Sequence, residues 1–149
     1  MSAEVSARIP LKALWPYIVI ALLSLIGLGD SIYLTVQHLT GASVRCTLIS
    51  GCSEVLSSSY SHIGPIPLAA LGAVAYFVVF SLAVLFASGY KTGRLLMVVV
   101  SLMFLTTLWL LYLQAFVIRH FCQYCLLSAA VTTGLLGGVI FARFKRRPQ

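Results

Sequence analysis

The sequence predicts an all-α membrane protein, a bundle of four transmembrane helices with a long outer loop between spans one and two. Three observations carry this reading. Of the 149 residues, 60% are hydrophobic and only 9% charged, which leaves too little polar surface for a water-soluble domain of this length. The apolar residues gather into four runs, each long enough to cross roughly 30 Å of hydrocarbon as a helix. The basic residues are shared unevenly between the two sides that such a topology creates. The whole chain, 1–149, reads as one membrane domain, with spans at approximately 13–39, 66–87, 95–118 and 122–142.

Span one opens with the charge-free "ALWPYIVIALLSLIGLG" and stays apolar beyond Asp30. Its run exceeds an ordinary signal-peptide core and no small-residue cleavage site follows, so it reads as retained. Trp15 and Tyr17 look like interface anchors at its inner end. The outer loop, 40–65, is rich in Ser and Gly and carries Cys46 and Cys52. Within it "GCSEVL" has the makings of a short surface helix: Ser53 to cap it, Glu54 in the first turn, Val55 and Leu56 against lipid. Pro65 and Pro67 set the approach to span two. A short polar turn, "SGYKTGR", joins spans two and three, and "RHF" joins three and four. In span four, Gly134 and Gly138 form a GxxxG that suits close packing within the bundle.

The net charge of +7 is not a nucleic-acid signature, because position explains it. Arg8, Lys12, Lys91, Arg94, Arg143, Lys145, Arg146 and Arg147 all fall on one side of the four-span topology, and only Arg45 and Arg119 on the other. By the positive-inside pattern both termini are cytoplasmic. The expected location is the cell membrane, with the cysteines on the periplasmic or extracellular side. Disulfides form in such compartments, and an even cysteine count with none in the inner turn fits that chemistry.

Cys122 and Cys125 open span four. At positions i and i+3 they share a helix face, so both sulfurs can point into the bundle. The first turn of a helix offers free N–H groups and a positive dipole end that favour a thiolate, and a lowered thiol pKa makes such a pair exchangeable. Cys125 lies one turn deeper, at the edge of the hydrocarbon, where it can meet a lipid-soluble quinone. Two other readings stay open at this point. Two static disulfides could staple a non-catalytic four-helix scaffold, or four thiolates could close a zinc site, although the gap between Cys46 and Cys52 is loose for a zinc knuckle.

The order of these features resembles the vitamin K epoxide reductase family in its compact prokaryotic form without a fused thioredoxin-like domain. The matching segments are "CTLISGCSEVLSSS" at 46–59, "GPIPLAALGAVAY" at 64–76 and "FCQYC" at 121–125. The DsbB family, which does the same task, carries its cysteine pairs in the opposite order. The resemblance implies four helices around a quinone site near the outer surface, partly capped by the long loop. It implies that Cys46 exchanges with a thioredoxin-like or DsbA-like redox protein. Cys52 then passes the electrons to Cys122 through a transient disulfide, and Cys125 delivers them to a ubiquinone, menaquinone or vitamin K type quinone. Ser57 and Ser58 match a serine position of functional weight, and Phe121 an aromatic near the quinone. Vertebrate members hold the vitamin K oxygens with an Asn and a Tyr, at positions taken here by Leu68 and Ala129. That departure favours a quinone reductase that oxidises folding proteins over an epoxide reductase. The protein is expected to work as a monomer, to require membrane lipid and quinone, and to bind neither metal nor nucleic acid.

Asp30 is the only acid within a span, about eight residues or ~12 Å of helix from the outer end at His38. Charge there costs several kcal/mol, so its carboxyl should face a cavity or be protonated. It could serve the quinone as a proton donor or polar wall, or it could simply bond Ser31, Tyr33 or a neighbouring helix. His38, His62 and His120 sit near the outer surface, where they could relay protons or do nothing more than face water.

Overall fold

The computed structural model describes residues 11–145 with the exception of residue 49. Five α-helices account for most of it: α1 (Leu11–Thr40), α2 (Cys52–Ser57), α3 (Leu68–Ala87), α4 (Gly93–Tyr112) and α5 (Gln123–Lys145). Four stretches are long and apolar enough to cross a membrane: Lys12–Thr40, Leu68–Ala87, Gly93–Ile118 and Gln123–Lys145. The all-α four-span architecture expected from the sequence is therefore the one observed. Two features were not expected. A two-residue antiparallel hairpin, β1 (His62–Ile63) with β2 (Ile66–Pro67), leads into α3. The last turns of the third span, Leu113–Ile118, widen into a π-helix.

Local chemistry sets the ends of these elements. Gly41 takes the left-handed conformation (φ 66°) at which α1 stops. Its N–H donates to the His38 carbonyl at 3.4 Å, and the Ala42 N–H donates to that of Gln37 at 3.2 Å. This crossed pair closes the helix and releases the chain into the outer loop. Thr92, ahead of α4, donates its hydroxyl to the Leu82 carbonyl of α3 at 3.0 Å, tying the inner turn together.

α1 is the central helix, packed along α3 and α5, while α4 leans on α5 and touches α3 sparingly. Small residues make these approaches possible. A methyl at Gly138 would lie 3.2 Å from Ile20, and one at Gly134 3.3 Å from Leu23, so the GxxxG face of α5 meets α1 within the bundle. Across the other face of α1, Gly27 lies under the ring of Tyr76, which fills the space a side chain would need. Tyr76 is itself buried, its hydroxyl 2.7 Å from that of Ser128 and 3.0 Å from that of Thr132 on α5. One tyrosine thus joins α1, α3 and α5.

The packed core occupies the half of the bundle where α1 begins and α5 ends. Ile20, Val79, Leu96, Val100 and Leu135 are shielded almost completely there, and Tyr17 stacks on Phe86 with ring centroids 4.2 Å apart. At this end the Lys145 ammonium donates to the Lys12 carbonyl at 3.1 Å. Lys91, Arg94 and Arg143 lie at the same end, and Arg45 and Arg119 at the opposite one. Arg8, Arg146 and Arg147 lie outside the described residues.

Two expectations need correction. Trp15 is 63% exposed, as an interface anchor should be, but Tyr17 is buried at 6%, because its ring is committed to Phe86. Helix α2 starts at Cys52 with Gly51 in the capping position. Ser53 turns its hydroxyl to the Glu54 carboxylate at 2.9 Å, and Val55 is buried with the cysteines rather than against lipid.

The Gly27–Tyr76 contact gives a stability prediction. Gly27→Ala must displace a buried ring that holds three helices, and overpacking of this kind costs about 1–3 kcal/mol. Gly29→Ala, where nothing lies within 4 Å, should be neutral. Thermal unfolding of the two variants in detergent should show a lowered Tm for the first alone.

Candidate functional site

The four cysteines meet at the end of the bundle opposite the packed core. Cys52 and Cys122 are fully buried, and Cys46 and Cys125 pack around them with Val55, Leu56, Ile118 and Tyr124. Cys46 and Cys52 form a disulfide with Cα atoms 6.0 Å apart, and Cys122 and Cys125 are free thiols. The outer pair is oxidised and the inner pair reduced.

The mouth of α5 is built by the end of the third span. Arg119 adopts a left-handed conformation (φ 59°) after the π-helical turns, and this bend brings the chain back so that α5 starts beside them. A π-helical turn is a frequent companion of functional positions. Here it carries Gln114, buried at 3% exposure, whose Oε1 accepts the Cys122 N–H at 3.3 Å. Cys122 stands just before the helix, its own carbonyl accepting the Leu126 N–H at 3.0 Å. The N-terminal turn of α5 therefore rises from a thiol that faces the positive end of the helix. The Cys125 thiol, one turn on, hydrogen-bonds the Cys122 sulfur, and that bond above all pulls the Cys122 pKa down from 9.0 to about 7, against the opposing effect of burial. A thiolate at Cys122 is thus accessible near neutral pH, as a nucleophile in disulfide exchange needs to be.

The outer loop is fastened to the same turn. The Leu48 N–H donates to Gln123 Oε1 at 3.0 Å, and the Tyr124 hydroxyl to the Arg45 carbonyl at 3.5 Å. Gly51, at φ 151°, passes so close that a side chain there would come within 2.9 Å of the Phe121 carbonyl oxygen. Glycine at this point lets Cys52 reach the CxxC turn.

Beneath the cysteines lies a cavity of about 560 Å³, within the range of small-molecule sites. All four spans line it, and its wall is overwhelmingly apolar. Tyr76 forms part of the wall and Gln114 another part. Among the described residues Cys125 is the one cysteine on the wall, so the inner pair faces the loop disulfide through Cys122 and the cavity through Cys125. Leu71 of α3 and Leu102 of α4 belong both to the wall and to the exposed surface, at 42% and 59% exposure. The cavity therefore opens toward the α3–α4 side of the bundle.

Of the residues singled out by sequence, Asp30, Ser58, Leu68 and Cys125 line this cavity. Asp30 Oδ2 is buried without a hydrogen-bond partner among the described residues. Ser58 is half-buried and donates to the Val55 carbonyl at 2.7 Å. Ser57 and Phe121 are exposed and Ala129 is buried at 8%, all three off the cavity wall. His38 lies on the wall, with its ring centroid 6.3 Å from that of His62. Among the described residues no three His, Cys, Asp or Glu side chains group as ligands for a metal ion. Sequence reasoning missed Gln114, Tyr76, Ser128 and Gly51. Only Gln114 left a signal, as the single side-chain amide in an otherwise apolar third run.

The sequence model of the vitamin K epoxide reductase family matches residues 18–140, most of the chain and all four cysteines.

The Cys125–Cys122 bond predicts a titration. With Cys46–Cys52 oxidised, the chemical shift of an isotope-labelled Cys122 Cβ should report a transition near pH 7. In Cys125→Ala the donor that lowers this pKa is gone, and the transition should move up toward 9.0. An unchanged midpoint would show that the helix end alone sets it.

Proposed function

The chain belongs to the vitamin K epoxide reductase family, and on that premise we propose that it relays electrons from a thioredoxin-like or DsbA-like partner to a membrane quinone, supporting disulfide formation. It is a multi-pass membrane protein, and its family is one of membrane thiol–disulfide oxidoreductases. The observation that carries the relay is the grouping of all four cysteines in one buried cluster, with one disulfide, one dithiol and a cavity touching only Cys125.

The steps follow from where each sulfur stands. Cys46 is the less buried partner of the loop disulfide. It takes the attack of a reduced partner thiol, forming a mixed disulfide and releasing Cys52 as a thiol. The partner's second thiol then resolves the mixed disulfide, so that the partner leaves oxidised and Cys46 is free. When Cys122 and Cys125 are oxidised, Cys52 attacks Cys122, which is buried beside it. Cys46 then closes back onto Cys52 as Cys122 leaves, returning Cys122 and Cys125 to the dithiol. Cys122 leaves well because its pKa is low. Oxidation of that dithiol by the quinone completes the cycle: two electrons and two protons leave the thiols, a Cys122–Cys125 disulfide forms, and hydroquinone departs.

The residues present fit a quinone. The cavity wall is hydrocarbon for the most part, Leu68 stands near the hairpin, and Asp30 and Ser58 are among its few polar groups. Leu68 and Ala129 offer no hydrogen bond to a substrate oxygen, which favours a quinone over an epoxide as acceptor. Ser57 and Phe121 would act from outside the wall, by supporting the loop and the CxxC turn. The basic end formed by Lys12, Lys91, Arg94, Arg143 and Lys145 faces the cytoplasm in this reading, with the cysteines on the periplasmic or extracellular side, and the unit that works is a monomer.

Quinone reduction by the purified protein, driven by a reduced thioredoxin-like donor, tests this directly. Absorbance of a ubiquinone or menaquinone analogue should fall with the wild type and stay constant with Cys125→Ala. The double variant Cys46→Ala, Cys125→Ala should accumulate a Cys52–Cys122 disulfide, visible by mass spectrometry of non-reduced peptides. A wild type that reduces no quinone while its cysteines remain reducible would leave a disulfide-stapled scaffold as the better account.

A further inference from the structure

Resting on that reading, we infer that Asp30 is the acid that protonates the quinone, a proton shuttle on the wall of the same cavity that Cys125 borders. Three observations converge on it. Asp30 lines the cavity, with Oδ2 buried and without a hydrogen-bond partner among the described residues. Among the described residues no other Asp or Glu lies on the wall, and neither does any Lys or Arg, so none of these neutralises its charge. It is near enough for that charge to act on Cys122, Cys125 and Tyr124 of α5. A carboxyl kept only for structure would bond to Ser31 or Tyr33, its neighbours on α1. Ser31 instead packs toward Gly72 and accepts from Thr35 through its carbonyl, and Tyr33 lies against Tyr124 with ring centroids 5.5 Å apart.

An unpaired buried polar oxygen is costly, and a hydrogen bond from the protonated Asp30 carboxyl to a substrate oxygen would offset part of that cost. The proton balance is simple. Oxidation of the dithiol yields two electrons and two protons, and hydroquinone contains both. One proton passes from Asp30 to a ring oxygen, and the proton released by Cys125 restores the acid. The other comes from bulk water, which received the Cys122 proton when that thiol ionised. The other titratable groups around the cavity are His38 and Tyr33 of α1, Tyr60 of the loop, Tyr76 of α3, and Tyr124 and Cys125 of α5. Tyr76 is already occupied by Ser128 and Thr132. His38 is the competitor to be tested.

Reduced protein in detergent is mixed with excess ubiquinone analogue, and the turnover rate is followed against pH. In the wild type the rate should rise as Cys122 ionises and fall once the acid in the cavity is lost. Asp30→Asn should lower kcat by on the order of a hundredfold, the low end of what a general acid contributes, and should abolish the falling limb. KM for quinone should change little. Asp30→Glu keeps an acid in the cavity and should restore the falling limb. Reduction of the Cys46–Cys52 disulfide by a reduced thioredoxin-like donor should be unaffected in both variants. The inference is overturned if Asp30→Asn keeps the wild-type rate and profile, if Asp30→Glu is as slow and flat as Asp30→Asn, or if the falling limb survives in Asp30→Asn and vanishes in His38→Asn. A wild type unable to reduce quinone would instead overturn the electron-acceptor reading on which this rests.

Discussion

The hydrogen bond from the Cys122 N–H to Gln114 is the point on which the outer half of the bundle turns. A helix starting inside a protein leaves N–H groups that must find partners, and here the partner comes from the preceding span. That span reaches it by widening into a π-helix and reversing through the left-handed Arg119. With the start of α5 fixed, Gln123 and Tyr124 present acceptor and donor to the outer loop, and the loop brings its disulfide down onto Cys122. Two cysteine pairs far apart in sequence thereby become neighbours.

The bundle divides its labour along its length. The end where α1 begins and α5 finishes is filled, with side chains such as Ile20, Val79 and Leu135 entirely shielded, while the other end is hollow. An empty apolar space forfeits dispersion contacts that a packed core would make, so the filled end has to hold the helices in place. Tyr76 stands at the boundary. Its ring presses on α1 at Gly27, its hydroxyl is shared with α5, and its edge closes the cavity. The hollow can thus exist without letting the helices slide.

Much of this was legible in the sequence, for reasons that are physical. Membrane spans are the easiest elements to read because hydrocarbon tolerates no unpaired backbone and few charges, and the four runs found from composition are the four long helices. The order of the cysteines pointed to the family, which the match over residues 18–140 bears out. What remained hidden depends on tertiary partners. Trp15 and Tyr17 look alike in sequence, yet only the second finds a Phe86 to stack on. Val55 reads as a lipid-facing residue until the loop folds over and buries it with Cys52. A π-helical turn has no hydrophobic period of its own, and Gln114 becomes meaningful only once the chain has returned beside it. Ser57, Ser58 and Phe121 were chosen by likeness to a family pattern, and of these only Ser58 reaches the cavity.

The Cys46–Cys52 disulfide closes a very small ring, its cysteines only six positions apart. In chain-entropy terms a ring of that size restricts the unfolded chain by about 2 kcal/mol, against nearly 5 for a loop of ~100 residues. Opening it therefore withdraws little of what keeps the protein folded. In the proposed relay this disulfide would be broken and remade in every cycle, and a loop this short sits where the conformational entropy of the chain scarcely notices its loss.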